Sequence, residues 1–316
     1  MKRRRLLTAA GASAALHAAV VHAQRPLPRV GFLIAGDPEP IWTLFRTAMA
    51  ELGHVEDRTI KYEYHAAYAG RGQLAPMANE LVTLNVDAIV AVLTPAIEAA
   101  RAATQKIPIL FNGGAPETGI VTNVARPESN LTGVWGATSM LAGKSVQVFH
   151  EIKPATRALG LLLNAPDPFY VPLQREVEAA GKAQQIEVVP LMLKGHEELE
   201  AACTELAHRG VDGVLVQPSL SLQAAAEFAL KSRLPAVSFR REFAAAGGLL
   251  SLGADQAAIA RTLAGYVDRV LKGARTVDLP IQQATKFELV VNQKTARALG
   301  LTLSPMFLTR VDEVIE

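Results

Sequence analysis

Polar residues or glycines follow directly on apolar runs at six places in this 316-residue chain: Gly36-Asp37, Thr94-Pro95, Asn112-Gly113-Gly114, Asn164, Gln217 to Ser219, and Arg240. Hydroxyls, amides, a guanidinium and glycine-exposed N–H groups suit noncovalent capture of a polar or anionic group. The sharpest case is VLTPAIEAA (Val92 to Ala100), where an apolar run passes straight into an alanine-rich helical pattern. Thr before Pro reads as a helix start, with Thr94 as the cap and Pro95 at the first helical position. The positive end of that helix then faces whatever sits beyond the strand. Each of these residues also has a purely structural use. Thr94, Asn164 and Ser219 can cap helices, Gly113-Gly114 can make a turn, and Arg240 can pair with Glu242.

Bond-making chemistry is harder to find. The loop after the first apolar run, Gly36-Asp37-Pro38-Glu39-Pro40, has one glycine where a dinucleotide fingerprint has three. There is no phosphate-cradling P-loop and no GxSxG elbow. His54, His65, His150, His196 and His208 are scattered, none at metal-ligand spacing, and read as helix-surface residues. The sequence therefore calls for no catalytic set, no metal and no cofactor. The alternative from the enzyme class is an exported α/β enzyme working through Asp37, Asp167 or Arg240.

The elements that must position these residues follow a βα rhythm. Val30 to Ala35 is a near-continuous apolar run, as expected for a parallel strand covered on both faces. Ile41, Leu44, Phe45, Ala48 and Leu52 fall at helical spacing, and Gly53 closes that helix. Ile60, Tyr62 and Tyr64 alternate with charged residues, which predicts an edge strand. A helix over 74–82, a strand over 88–93, a helix over 95–104 and a strand over 108–111 complete a first series. The rhythm restarts after 131–135, with a helix over 141–152 and strands over 158–163, 186–193, 211–216 and 234–239. Two such series predict two similar α/β lobes with parallel sheets. A further helix (259–270), an extended piece at 281 and 287–291, and a short helix at 295–299 are left over. That remainder predicts a chain that passes back between the lobes, and several crossings make a hinge around a cleft.

Residues 1–23 stand apart. A basic head, MKRRR, precedes a small apolar stretch from Leu6 to Val21, and Val21-His22-Ala23 offers small residues where a signal peptidase cuts. We expect a cleaved export signal, a mature chain from near Gln24, and a periplasmic protein. Arg3-Arg4-Arg5-Leu6-Leu7 partly fits a twin-arginine signal, and retention as an N-terminal anchor is the alternative to cleavage. Losing one Lys and three Arg turns the formal charge of +2 into −2. The basic balance thus belongs to the signal and gives no support to a nucleic-acid partner. The lone cysteine, Cys203, excludes an intramolecular disulfide, and no cysteine follows the cleavage point to carry a lipid. A soluble monomer is expected.

Eight segments carry a longer likeness: RVGFLIAG (from Arg29), FRTAMAELGHVEDRTI (from Phe45), ANELVTLNVDAIVA (from Ala78), TPAIEAARAATQKIPILF (from Thr94), ARPESNLTGV (from Ala125), REFAAAGGLLSLGAD (from Arg241), YVDRVLKGARTVDLPIQQATKFELVVNQKTARALGL (from Tyr266) and the terminal DEVIE. In this order, from Val30 onward, the chain resembles the periplasmic substrate-binding components of ABC transporters, in their tryptophan-uptake-like branch. The resemblance implies a type I periplasmic-binding fold, with two Rossmann-like lobes joined by a crossover-strand hinge. The expected lobes are residues 24–135 with 254–283, and 136–253 with 284–316. It implies an importer component that captures a small polar or aromatic organic solute and delivers it to ABC permease subunits in the inner membrane. A ligand sensor for a signalling partner is the alternative.

The expected ligand contacts are Gly36, Asp37, Thr94, Pro95, Gly113, Gly114, Asn164, Tyr170, Gln217, Ser219 and Arg240; the resemblance carries over the Thr94-Pro95 turn, the Gly113-to-Thr118 loop, Asn164 and the segment after Gln217, and the others come from the strand ends and the loops beside them. In relatives that bind amino acids, a turn like Thr94-Pro95-Ala96 would hold the ligand carboxylate. Trp42, Phe169 and Tyr170 are candidates for stacking on a flat solute. Two departures stand out. Gly113-Gly114-Ala115 stands where many relatives carry an acidic residue after the fourth strand, and the first loop, GDPEPIW, is individual.

Overall fold

Burial on both faces explains the continuous apolar runs: from Val30 to Ala35 and from Ala88 to Ala91 only Gly31 carries no side chain, and the others are fully buried. The computed structural model describes residues 26–316 except 69, 71 and 128, so the expected export signal lies outside the described residues. The first sheet is built by β1 (Arg29–Ile34), α1 (Ile41–Glu51), β2 (Lys61–Ala66), α2 (Leu74–Thr83), β3 (Ala88–Val92), α3 (Thr94–Ala103), β4 (Ile109–Asn112) and β5 (Leu131–Trp135). The second begins with α4 (Thr138–Ile152), β6 (Ala158–Asn164), α5 (Tyr170–Ala183), β7 (Glu187–Leu193) and α6 (Leu199–His208). It continues with β8 (Gly213–Val216), α7 (Leu222–Lys231), β9 (Ala236–Ser238), α8 (Arg241–Ala245) and β10 (Leu250–Ala254). Last come α9 (Gln256–Leu271), β11 (Gln282–Gln283), β12 (Phe287–Asn292), α10 (Gln293–Ala298), α11 (Pro305–Leu308) and β13 (Glu313–Ile315).

The strand orders are β11-β5-β4-β3-β1-β2 and β13-β12-β10-β9-β8-β6-β7. All neighbours run parallel except β10 with β12. This is the expected α/β architecture with two parallel-dominated sheets. The polar edge strand predicted at Tyr62 and Tyr64 is β2, at the end of the first sheet.

The chain crosses between the sheets three times: from β5 to α4, from β10 to α9, and from β11 to β12. The second and third crossings are tied together. Asp255 caps α9 through the N–H groups of Ala257 and Ala258, and its carboxylate meets Lys286 Nζ at 2.6 Å. Helix α9 returns to the first sheet, where Ile259, Leu263, Tyr266 and Val267 join Phe32, Ile41 and Phe45 in one core. Burying each such side chain stabilises the fold by about 1.5–3 kcal/mol.

Two strands escape the sequence pattern. β10 contains Gly253, whose absent Cβ would lie 1.9 Å from the Phe239 carbonyl oxygen, so glycine there reflects close backbone approach. β13 is three residues long and pairs with β12 at the sheet edge. Trp42, expected near the cleft, instead joins an aromatic cluster with Phe32 and Tyr64, each 4.9 Å away between ring centres. Among the described residues no helix is long and apolar enough to cross a membrane.

Candidate functional site

Strand ends from both sheets converge on one cavity, with about 620 Å³ of empty space including its mouth. From the first sheet come Leu93 and Thr94 after β3, and Asn112, Gly113 and Gly114 at the end of β4. From the second come Asp167, Phe169, Ser219, Phe239 and Arg240. The crossing segments contribute Gly136, Thr138, Ala254 and Gln256. Carboxyl ends of parallel strands are where open α/β sheets hold ligands, because helix N-termini supply free N–H groups there.

Of the expected contacts, Thr94, Gly113, Gly114, Ser219 and Arg240 line this cavity, whereas Gly36, Asp37, Pro95, Asn164, Tyr170 and Gln217 do not. Tyr170 packs on the apolar core of the second sheet. Asn164 and Gln217 stand behind the wall. Asn164 N–H donates to Gln217 Oε1 at 2.8 Å, and Asn164 Nδ2 donates to Ser219 Oγ at 3.1 Å. Gly36 sits at the seam, where an added Cβ would come within 3.9 Å of Pro218 O and Ser219 Cα from the other sheet.

The start of α3 differs from the expected one. Leu93, not Thr94, is the N-cap, and Thr94 is already the first helical residue. The cause lies in the backbone. Leu93 N–H donates to Asn112 O at 2.8 Å, and its own carbonyl accepts the first helical bonds from Ala96 and Ile97. That position forces Leu93 to φ 68° and ψ 153°, a region that leucine occupies only under strain. The Thr94 side chain makes no cap bond and lies in the cavity wall.

Contacts beside the cavity join the two sides. Arg240 donates to the carbonyls of Asp37 (3.4 Å) and Glu39 (3.2 Å) in the first loop. Its Nε is also 3.3 Å from Glu242, an ion pair by distance that lacks hydrogen-bond geometry. Asp37 accepts the Leu222 N–H at 2.9 Å, so a carboxylate from one side caps α7 on the other. Tyr68 donates its hydroxyl to Asp37 and packs its ring on His196 of the second sheet, 4.5 Å between centres. Burial, reinforced by Asp37, pushes the Tyr68 phenol up to about 12. Glu117 repeats the device at α4, accepting the Ser139 N–H at 3.0 Å and the Ser139 hydroxyl. Charged caps at helix N-termini each contribute about 0.3–1 kcal/mol.

Glu117 is the acidic residue of the loop after β4, beyond Gly113-Gly114-Ala115. The two glycines are sterically required. At Gly114 a Cβ would stand 2.4 Å from the Phe169 ring across the cavity, and at Gly113 it would stand 3.2 Å from Leu93 Cα.

Asp167 and Arg240 are the charged residues of the wall. Asp167 is 2% exposed and accepts hydrogen bonds from Phe169 N (3.0 Å), Gln217 Nε2 (2.8 Å) and the Ser219 hydroxyl. Burial nevertheless pushes its carboxyl up to about 6. Gln256 and Thr138 were not anticipated from sequence. Gln256 opens α9 and accepts from Asn112 Nδ2 at 3.3 Å, linking positions 144 residues apart. Among the described residues no group of His, Cys, Asp or Glu is arranged to hold a metal ion.

Comparison with known proteins fits this geometry. A tyrosine-binding protein of Clostridioides difficile (strain R20291) is 22% identical over 264 residues, 81% of this chain and 75% of that protein. The structure of a conserved domain protein from Vibrio cholerae matches 92% of this chain and 100% of its own, at 22% identity and a TM-score of 0.84. The ABC domain from Streptococcus pneumonia in complex with L-Trp covers the same shares, at 22% identity and a TM-score of 0.83. A ligand-free, open substrate-binding protein with adhesive properties from Clostridium difficile, 18% identical, matches 92% of this chain and 99% of its own with a TM-score of 0.62. The model of the ABC transporter substrate binding protein family matches residues 41–315. The chain belongs to that family and is a solute-binding component of an ABC importer.

Proposed function

We propose that this protein captures a small aromatic organic solute bearing a carboxylate, and holds it in the cavity between the two sheets. The observation that carries this reading is the wall itself. Thr94 and the start of α3, the Gly113-Gly114 backbone and the Arg240 guanidinium gather anion-binding groups, and Phe169, Phe239 and Leu93 supply an apolar face. The relatives point the same way: one is a tyrosine-binding protein and one was crystallised with L-Trp.

Residues 24–135 with 254–283, and 136–253 with 284–316, act as two lobes that close over the solute about the three crossings. A solute that touches both walls only when they are shut drives the closure. Asn164 and Gln217 support the wall from behind, and Gly36 and Asp37 form the seam. The chain is exported to the periplasm, works as a monomer, and passes its solute to permease subunits in the inner membrane.

The test is calorimetric titration of the mature protein with aromatic carboxylates, with and without an α-amino group, against D-fucose and allitol. Aromatic carboxylates bind in the micromolar range or tighter, and the two polyols do not. Arg240→Ala weakens binding by about 100-fold, in line with about 2–5 kcal/mol for loss of a buried charged partner. Binding of the polyols with none of the aromatic acids would overturn the proposal.

A further inference from the structure

Tyr68 sits where a hinge motion would part the two sheets most widely. The crossings use β5 and β11 at one end of the first sheet, and β10 and β12 near one end of the second. The opposite ends are β2 and β7. Tyr68 follows β2 and His196 follows β7, and their rings pack 4.5 Å apart between centres. Rotation about the crossings moves each point in proportion to its distance from them, so this remote edge travels farthest.

Around the ring pair the two sides are fitted to each other. The Tyr68 hydroxyl donates to Asp37 of the first loop and accepts from the Ser221 hydroxyl on the second side. Asp37 in turn accepts the Leu222 N–H at 2.9 Å, and Ser221 is the N-cap of α7. Gly70, at φ +103°, comes so near the second side that an added Cβ would stand 2.7 Å from Lys194 O and 2.9 Å from Pro166 Cγ. Tyr68, Asp37, Ser221, Leu222 and His196 all lie outside the cavity lining. Their contacts need only the approach of the two sides. A simpler use, in which Asp37 merely caps α7, leads to the same point: the cap reaches across from the other side and exists only while the two are together.

We infer that Tyr68, Asp37 and His196 form a clasp at the edge remote from the crossings, one that holds a share of the molecules shut without solute and tightens the grip on every solute by one common factor. This rests on the proposed closure about the crossings and adds the element that biases it. Tyr68 and His196 are positioning residues that touch no solute. A contact made only in the shut form raises the shut-to-open ratio equally for any occupant, so it changes affinity without changing preference.

The test is Tyr68→Phe, which keeps the ring on His196 and removes the hydroxyl. A hydrogen bond to a charged group is worth about 10-fold in an equilibrium constant. Electron–electron distance measurements between spin labels at Gln73→Cys and Met192→Cys, both exposed, read the remote edge without solute, and Cys203 is buried. About a third of molecules with Tyr68 show the short distance, against about a twentieth of those with Tyr68→Phe. Calorimetric titration with indolepropionate and phenylpropionate finds both dissociation constants raised about 5–10-fold by Tyr68→Phe, with their ratio held within about 2-fold. His196→Ala, which leaves the hydroxyl in place, moves both readouts the same way by a smaller factor.

Equal distance distributions with and without the hydroxyl overturn the clasp. So do dissociation constants that move by different factors, which would make Tyr68 a residue that selects among solutes. If neither acid binds, the proposed function fails while the distances still decide the clasp. Should Tyr68→Phe fail to fold, checked by circular dichroism, the labelled chain that keeps Tyr68 remains decisive: no short distance without solute overturns the inference.

Discussion

The two walls of the cavity are made from different materials. On the first sheet the surface is backbone and small side chains: Thr94 at a helix start, then Gly113 and Gly114. On the second it is side chains: Asp167 and Ser219, hydrogen-bonded together and backed by Asn164 and Gln217, with Arg240 beside them. The Asp167 and Ser219 part of the second wall is ordered by its own contacts, and from across the gap come the first-loop carbonyls that hold Arg240 and the Asp37 carboxylate that caps α7. The first wall offers N–H groups that act at short range. On the proposed function they would meet the solute only after closure, so that one wall recognises and the other confirms.

The largest effect expected from breaking this division comes at Gly114. With a Cβ 2.4 Å from the Phe169 ring, Gly114→Ala keeps the walls from meeting. We expect the solute dissociation constant to rise about 30-fold while the apo melting temperature stays within about 2 °C, because the cost arises only on closure. Small-angle scattering should find the variant extended even with solute present. Unchanged affinity would mean that the glycine wall does not close on Phe169.

A smaller effect is expected at the seam. Asp37→Asn and Glu117→Gln keep acceptors for Leu222 and Ser139 but lose the charge facing α7 and α4. Each should weaken solute binding by about 2–5-fold, and the double variant by roughly the product, since the two caps sit on separate helices. Effects that fail to multiply would show that the two seams shut as one.

The smallest effect concerns the second wall alone. Asp167 in the folded protein, at about 6, lies above the roughly 3.9 of an unfolded aspartate. The folded state therefore binds more protons, and this contribution to stability is complete below about pH 4 and lost as pH rises through about 6. Without solute, the melting temperature of the wild type minus that of Asp167→Asn should fall by about 3 °C between pH 5 and pH 7.5. Taking the difference removes Glu117, whose carboxyl burial also raises. A flat difference would mean that the charge is already balanced.

Much of this was legible in the residues. Runs such as VGFLIA and AIVAV read directly as covered parallel strands, and the position of a strand end fixes which residues reach the cavity. Thr94, Gly113, Gly114, Ser219 and Arg240 could be named on that basis. Asn164 and Gln217 lie at strand ends too, yet the Gln217 side chain is spent on Asn164 N–H and Asp167 and the Asn164 amide on Ser219, and no one-dimensional pattern reports such a network. Tyr170 and Trp42 were read as cleft aromatics because they follow cleft loops, whereas helical phase turns both into cores. Leu93 as a helix cap was hidden because leucine carries no capping signal. Gln256 and Thr138 were missed for another reason. They open helices after crossings, so they reach the cavity only once two distant stretches of chain have been brought together.

Those crossings carry a consequence for what the molecule can report. Gly136, Thr138, Ala254 and Gln256 border the cavity and also belong to, or adjoin, the segments about which the halves would turn. A guest held as proposed would therefore rest on the axle of the device as well as between its jaws. Its bulk would act as a wedge at the pivot, where a small displacement becomes a wide angular difference at the far rims. Two guests of equal affinity but unequal girth would then present the membrane machinery with two distinguishable outlines.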